Sequence, residues 1–303
     1  MEILTSALRN IDGVQVGHWT DADAQTGCTV IRFDEPALTA VEVRGAAPGS
    51  RELDLLQPGR TVQRPDAILL SGGSAMGLAA ADGVARWLKE HDRGFQTGAG
   101  RVPIVPGAVL FDLLMGKPVS PNASAGYSAT EGAVSIRDVE TGRVGAGTGA
   151  ATGMIGGRDA ARPGGFVMAQ VCIDEGLVTA MAAVNAFGRL NDGEQDDPRR
   201  SLLSQRVTSP PLGESTTLLA CVTDIPLDHD GLIRMTVGMH DGLARAIVPA
   251  HTIADGDIAF ASTTREDPNC PPERWLRASV AAELAVESAI ATLHHSTRSR
   301  YGI

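Results

Sequence analysis

At 303 residues, with 43% hydrophobic and 20% charged residues, the chain can bury a full core and lies outside the composition range of disordered proteins. A formal charge of −10 without any Lys/Arg run argues against a nucleic-acid partner, and no apolar stretch approaches the roughly 20 residues needed to span a bilayer. Cys28, Cys172, Cys221 and Cys270 are scattered with no CxxC pair, so neither a zinc site nor a disulfide framework is expected. The opening Met-Glu-Ile-Leu-Thr-Ser lacks the basic and apolar regions of a signal peptide, and the expected location is cytoplasmic. Only 4% of residues are aromatic while 35 are glycine, so the core must be built from Ala, Val, Leu and Ile with close backbone approaches. That composition favours tightly packed layers of sheet and helix.

Short strand-like runs dominate the first part of the chain: residues 14–19, 28–33 and 38–43, then Asp66 to Ser71 ending in Gly72-Gly73-Ser74. A helix is expected from Ser74 to His91, with Ser74 as N-cap and Ala79, Val84 and Leu88 on its apolar face. After a Gly/Pro-rich stretch, a short helical segment is expected at Ala108 to Met115. Two apolar runs, 165–172 and 177–184, flank Ile173-Asp174-Glu175-Gly176, which reads as a hairpin turn. The segment Arg189 to Glu214 is polar, with three prolines, and is the best candidate for an exposed or cleavable linker. A buried strand follows from Thr216 to Thr223. Leu232, Met235, Met239, Leu243 and Ile247 then keep the 3-4-4-4 spacing of one helical face. A strand at Asp257 to Thr263 and an Ala-rich helix at Glu273 to His295 complete an α+β layered pattern.

Several segments invite a chemical reading. Gly72-Gly73-Ser74-Ala75-Met76-Gly77 approaches a nucleophile elbow, but Met76 stands where the second glycine is required, so a glycine turn entering a helix is the better account. The loop Gly145 to Gly153 matches only the first two glycines of a dinucleotide fingerprint, the third falling on Ala150, and no nucleotide site is expected. His229, His240 and His251 recur at eleven-residue steps, which is no ligand spacing, and surface or packed histidines are the better reading. Asp255-Gly256-Asp257 is either a strand-edge turn or a carboxylate pair that shares a proton. Asn185 either caps a strand end or donates its amide to an oxyanion. Thr216 and Thr217 sit where the polar connector meets a core strand. Threonines there suit β geometry, yet a cut before Thr216 would free an α-amine of pKa about 7.7–8.0 beside its own hydroxyl.

Taken together these segments resemble the L-aminopeptidase/D-esterase family, which includes β-peptidyl aminopeptidases and the nylon-oligomer endohydrolase. The resemblance is carried by Ile11-Asp12-Gly13-Val14-Gln15-Val16-Gly17-His18-Trp19, Thr26 to Val30, Arg44-Gly45-Ala46-Ala47-Pro48-Gly49 and Leu70 to Leu78. It continues through Val102 to Pro106, Leu110-Phe111-Asp112, Gly145 to Gly149, Val184 to Gly188, Asp241 to Ile247 and Asp255-Gly256-Asp257, in the family's order over nearly the whole chain.

The resemblance implies an αββα four-layer sandwich of the ornithine acetyltransferase/L-aminopeptidase type. It implies a single self-processing hydrolase domain over residues 1–303, cut into an α part (1–215) and a β part (216–303), and assembly into a homo-oligomer, often a tetramer. It places the nucleophile on Thr216, the oxyanion donor on Asn185, the acidic pair on Asp255 and Asp257, and a site-lining tyrosine on Tyr127. The substrate it implies is a small peptide or amide, with no cofactor and no metal. Asp255 and Asp257 are expected to orient the Thr216 hydroxyl and its proton. Two positions depart from the family: Ser215 stands where Asn often precedes the nucleophile, and Met154 stands where the glycine loop commonly ends in Lys. The alternatives are an unprocessed member with a ligand-binding or structural role, and an acyltransferase.

Overall fold

In the computed structural model, which describes residues 1–191, 198–204 and 213–301, two six-stranded sheets pack face to face. The strands of the two sheets are β1 (Glu2–Leu4), β2 (Val14–Asp21), β3 (Thr26–Phe33), β4 (Leu38–Val43), β5 (Gly49–Arg51) and β6 (Ala67–Ser71), followed by β7 (Gly107–Val109), β8 (Val134–Ser135), β9 (Gly165–Ile173), β10 (Gly176–Asn185), β11 (Thr216–Thr223) and β12 (Ile258–Thr263). One sheet runs β1-β9-β10-β11-β12-β4 and the other β8-β2-β3-β6-β7-β5. The helices are α1 (Ala80–Glu90), α2 (Ala123–Glu131), α3 (Pro198–Ser204), α4 (His229–Ala246) and α5 (Pro272–Tyr301).

Period-two alternation in the strands separates three apolar layers. Leu218, Ala220 and Val222 of β11 point between the sheets, where they meet Phe33, Ile31 and Leu70 from the second sheet and Phe166 and Phe260 from their own. Leu219 and Cys221 point the other way, under Leu232, Met235, Met239 and Leu243 of α4 and Ala282, Val286 and Ile290 of α5. On the outer face of the second sheet, Val30 and Leu69 lie beneath Val84 and Leu88 of α1 and Ala125 and Ala129 of α2. The order is helix, sheet, sheet, helix. Burying each large apolar side chain in these layers contributes about 1.5–3 kcal/mol.

Local chemistry sets the element ends. The Asp228 carboxylate accepts from Gly231 N at 2.8 Å to cap α4, and Asn122 accepts from Ala125 N at 3.1 Å to cap α2. Pro272 opens α5, where its missing N–H costs nothing. The expected hairpin is present, with Ile173 paired to Gly176. The helix expected from Ser74 begins instead as a 3-10 turn, Ser74–Ala79, because the chain folds back on itself there. A Cβ on Gly77 would lie 1.8 Å from the Gly72 carbonyl oxygen.

The helix expected at 108–115 is not formed. Gly107–Val109 is a strand parallel to β6, and Ala108, Val109 and Leu110 are buried. A short apolar run carries no period that separates helix from strand, and pairing to the sheet decides it. Of the polar connector, Arg189–Leu190 pairs with Ile247–Val248 and Pro198–Ser204 is helical, while 192–197 and 205–212 lie outside the described residues. No described helix is long and apolar enough to cross a membrane.

The α1/α2 contact depends on two glycines. A Cβ on Gly83 would lie 1.7 Å from the Ala123 carbonyl oxygen, and one on Gly126 would lie 1.9 Å from that of Ala80. Backbone cannot yield as a side-chain tip can, so Gly126→Ala is expected to cost at least the roughly 1–3 kcal/mol typical of overpacking. Urea denaturation should show a lower midpoint at unchanged slope. An unshifted midpoint would mean that the helices do not meet at this glycine.

Candidate active site

Strand register brings the candidate residues together. Thr216, the first residue of β11, is paired with Asn185, the last of β10. One residue earlier, Ser215 forms a parallel bridge with Asp255, just before β12. By the alternation of β11, Thr216 faces between the sheets with Asn185, whereas Ser215 and Thr217 face the α4/α5 side. Thr216, Asn185, Asp255 and Asp257 are all nearly inaccessible.

The Thr216 hydroxyl donates to the carbonyl oxygen of Ser215 at 2.6 Å. The same oxygen accepts from the Gly256 N–H at 2.9 Å. Two donors thus converge on the carbonyl of the bond that precedes Thr216, one of them the hydroxyl itself. Gly256 is required by space, since a Cβ there would lie 2.7 Å from Thr216 Oγ1 and 2.5 Å from the Ala47 carbonyl oxygen. The 44–47 loop fixes this turn from the other side: Ala47 N donates to Asp255 O at 3.0 Å, and Arg44 N donates to Asp257 O at 3.0 Å.

Asn185 is held at both ends of its amide. Its Oδ1 accepts from Ala151 N at 3.0 Å and its Nδ2 donates to Phe111 O at 3.0 Å. The glycine-rich loop therefore carries the amide that fixes Asn185, and its glycines allow close packing. A Cβ on Gly147 would lie 2.0 Å from Phe166 N. The Gly72-Gly73 turn has a comparable part, because Gly73 N donates to Asp112 Oδ1 at 2.7 Å. Burial pushes the Asp112 carboxyl up to about 6. Asp112, Leu114, Met115, Met154, Asn185 and Glu214 line a narrow crevice. Met154, the departure noted in the sequence, stands in the crevice wall.

The acidic pair acts on backbone rather than on the hydroxyl. Asp255 Oδ1 accepts from Phe187 N at 3.1 Å and its Oδ2 from Thr252 N at 2.9 Å and Thr252 Oγ1 at 2.5 Å. Asp257 Oδ1 accepts from Thr217 N at 2.8 Å, and its Oδ2 from His251 N at 3.1 Å, with His251 Nδ1 2.8 Å away. Each carboxylate oxygen is committed to these donors, and the pair frames the strand that carries Thr216 instead of touching its hydroxyl.

Tyr127 is not brought to this cluster. It lies on α2, beyond the second sheet, where its hydroxyl donates to Glu90 at 2.7 Å and the Arg86 guanidinium covers its ring at 4.6 Å. Sequence reasoning gave no role to the Gly256 amide or to the 44–47 loop, and read His251 only as a surface or packed histidine. The Asp-Gly-Asp spelling contained the first, and His251 stands six residues before Asp257 with no local pattern to mark it. Among the described residues no three His, Cys, Asp or Glu side chains gather as metal ligands would.

The four-layer arrangement is of the N-terminal-nucleophile hydrolase type of fold. The structure aligns with the L-aminopeptidase D-Ala-esterase/amidase of Ochrobactrum anthropi, described as a variant of the Ntn hydrolase fold, at a TM-score of 0.74 and 17% identity over 97% of this chain and 87% of that one. It aligns with a Burkholderia sp. beta-aminopeptidase at a TM-score of 0.70 and 21% identity over 92% of this chain and 83% of that one. Residues 6–298 match peptidase family S58, and the chain belongs to that family. It is 39% identical to an uncharacterized aminopeptidase of Mycobacterium tuberculosis, covering 94% of this chain and 89% of the relative. The chain is thus a member of a peptidase family, and the finer activity belongs to its relatives' names.

Burial and the neighbouring Asp257 both raise the Asp255 pKa above the ordinary carboxylate value. The fold therefore binds this proton more tightly than the unfolded chain. Its favourable contribution is greatest at low pH and is lost as pH rises through the folded pKa. Carboxyl 13C NMR should find Asp255 titrating above the ordinary range, and lower in Asp257→Asn, where the second charge is gone. An Asp255 titration that Asp257→Asn leaves in place would contradict the assignment.

Proposed function

We propose that this chain cuts itself between Ser215 and Thr216, and that the exposed Thr216 is then the nucleophile of an aminopeptidase/amidase acting on small peptides or amides. The observation that carries the reading is the 2.6 Å contact of the Thr216 hydroxyl with the carbonyl of its own preceding bond, already polarised by Gly256 N. In the first step Thr216 Oγ1 bonds to the Ser215 carbonyl carbon and the Ser215–Thr216 C–N bond breaks. The hydroxyl proton passes to the departing amine. Water then hydrolyses the ester, leaving a Ser215 carboxylate and a free α-amine on Thr216. The Gly256 N–H on the carbonyl oxygen supports this order, because negative charge develops on that oxygen as the carbon becomes tetrahedral.

In the matured protein the α-amine takes the proton of the neighbouring hydroxyl as it attacks a substrate carbonyl, and later returns it to the leaving amine. Residues 1–215 and 216–303 would then be two chains of one fold, held by the β10/β11 and β11/β12 pairings. Asn185 shares the Thr216 face and serves as the oxyanion donor, with one amide N–H spent on Phe111 O. A 6-aminohexanoate-oligomer endohydrolase of Agromyces sp., 32% identical over 84% of this chain and 74% of its own length, supports an amide bond as the target.

Hydrolysis of amino-acid amides and p-nitroanilides tests the proposal. Thr216→Ala should have no turnover. Asn185→Ala should lower kcat on the order of a hundredfold, the typical effect of losing one oxyanion donor. Unchanged kcat in Asn185→Ala, in a variant that still melts cooperatively, would reject its role.

A further inference from the structure

A buried polar chain runs from β11 toward α4 and takes no part in the acyl transfer. It starts at the N–H of Thr217, one residue past the nucleophile, which donates to Asp257 Oδ1 at 2.8 Å. Asp257 Oδ2 meets both the backbone N–H of His251, at 3.1 Å, and its ring Nδ1, at 2.8 Å. The second ring nitrogen, Nε2, lies 3.4 Å from the carbonyl oxygen of His240. Both ring nitrogens of His251 therefore face acceptors, and only the doubly protonated ring donates to each. Because Nε2 is turned to His240 O and Nδ1 to Asp257, neither is free to take a proton from Thr216. His251 is thus no general base for this nucleophile.

The groups around His251 are Asp257 from its own loop, with Asp255 behind it, His240 from α4, and Glu42 and Arg44 from β4 and the residue that follows it. The His240 ring meets the His251 ring edge-on, centroids 4.8 Å apart. Its Nε2 is 3.2 Å from Glu42 O while its buried Nδ1 has no partner, the pattern of a neutral imidazole. Burial lowers the His240 pKa to about 4. Arg44 pairs with the Glu42 carboxylate at 2.9 Å and with Asp241 at 3.5 Å, so its charge is met at the outer end. For His251 itself burial opposes the charge, but the hydrogen bond and charge of Asp257 outweigh it and raise the pKa above 6.5. His251 also sits at φ +55°, a left-handed conformation in which side chains other than glycine are uncommon.

We propose that His251, as an imidazolium clamped between Asp257 and the His240 carbonyl, is a positioning residue for cleavage at Ser215–Thr216. It fixes Asp257, Asp257 fixes the Thr217 amide, and the Thr217 amide fixes the backbone on which the nucleophile stands. The inference rests on the self-cleavage reading. A charge-assisted hydrogen bond is roughly twice as strong as a neutral one, so loss of the His251 proton loosens the clamp without breaking its geometry. A raised histidine pKa means that the contribution is complete below 6.5 and is lost as pH rises through the folded value. The uncut chain has no α-amine on Thr216, so an alkaline decline in self-cleavage is not a titration of that amine.

Two experiments test it. Chains made by cell-free synthesis are moved into buffers spanning about pH 5 to 9, and self-cleavage is followed on denaturing gels. Wild type should cleave fastest at the acid end and slow as pH rises. His251→Asn keeps a residue that tolerates the left-handed turn but removes the ring. It should cleave on the order of tenfold to a hundredfold more slowly at the acid end and lose the slope. Separately, ring-nitrogen NMR of the uncut Thr216→Ala chain should find His251 as an imidazolium at neutral pH, which needs no variant at His251 to fold. A neutral ring would overturn the proposal, as would His251→Asn cleaving at the wild-type rate with the wild-type slope. Those results leave self-cleavage standing. A wild-type chain that stays intact under all conditions would remove the self-cleavage reading and this role together.

Discussion

The site depends on the register of three adjacent strands. Pairing of Thr216 with Asn185 on one side, and of Ser215 with Asp255 on the other, decides which side chain faces between the sheets. A one-residue slip of β11 would turn Thr216 toward α4 and present Ser215 or Thr217 between the sheets. The register is held by the apolar alternation of the strand itself. Leu218, Ala220 and Val222 belong between the sheets and Leu219 and Cys221 under the helices, so both faces of β11 are buried and neither tolerates a slip.

That arrangement also accounts for the composition. With few aromatic residues the layers close by backbone approach, and glycine appears where a carbonyl or amide must come near another chain segment. Gly256 is where this need coincides with chemistry. Its missing Cβ leaves room for the Thr216 hydroxyl, and its N–H polarises the carbonyl that the hydroxyl contacts. The carboxylates on either side of it keep the turn in place by accepting backbone and His251 donors. A turn spelled Asp-Gly-Asp thus supplies geometry through its acids and polarisation through its glycine.

Much of this was legible in the residues. The stripe Leu232, Met235, Met239 and Leu243 announced α4, because helical periodicity is a local property, and all four are buried. Asn185, Thr216, Asp255 and Asp257 stand at strand ends that the apolar runs marked out, and strand pairing brings them together. The segment 108–115 was not legible, since its strand exists only through pairing to β6. Tyr127 was assigned by resemblance alone and stands on the outer helical layer of this chain. His251 was invisible for a different reason. Its partners, Asp257 and His240, approach from a loop and a helix, and the eleven-residue spacing between the histidines carries no sign of their contact.

The central claim is that the Thr216 hydroxyl, which lies on the carbonyl of the Ser215–Thr216 bond, is the group proposed to break it. Intact-mass analysis of the purified wild-type chain, with N-terminal sequencing of the smaller product, tests it most directly. The account predicts two fragments that meet between Ser215 and Thr216, and a single uncut chain for Thr216→Ala. A wild-type protein that remains one 303-residue chain, or one that is cut elsewhere, would contradict it.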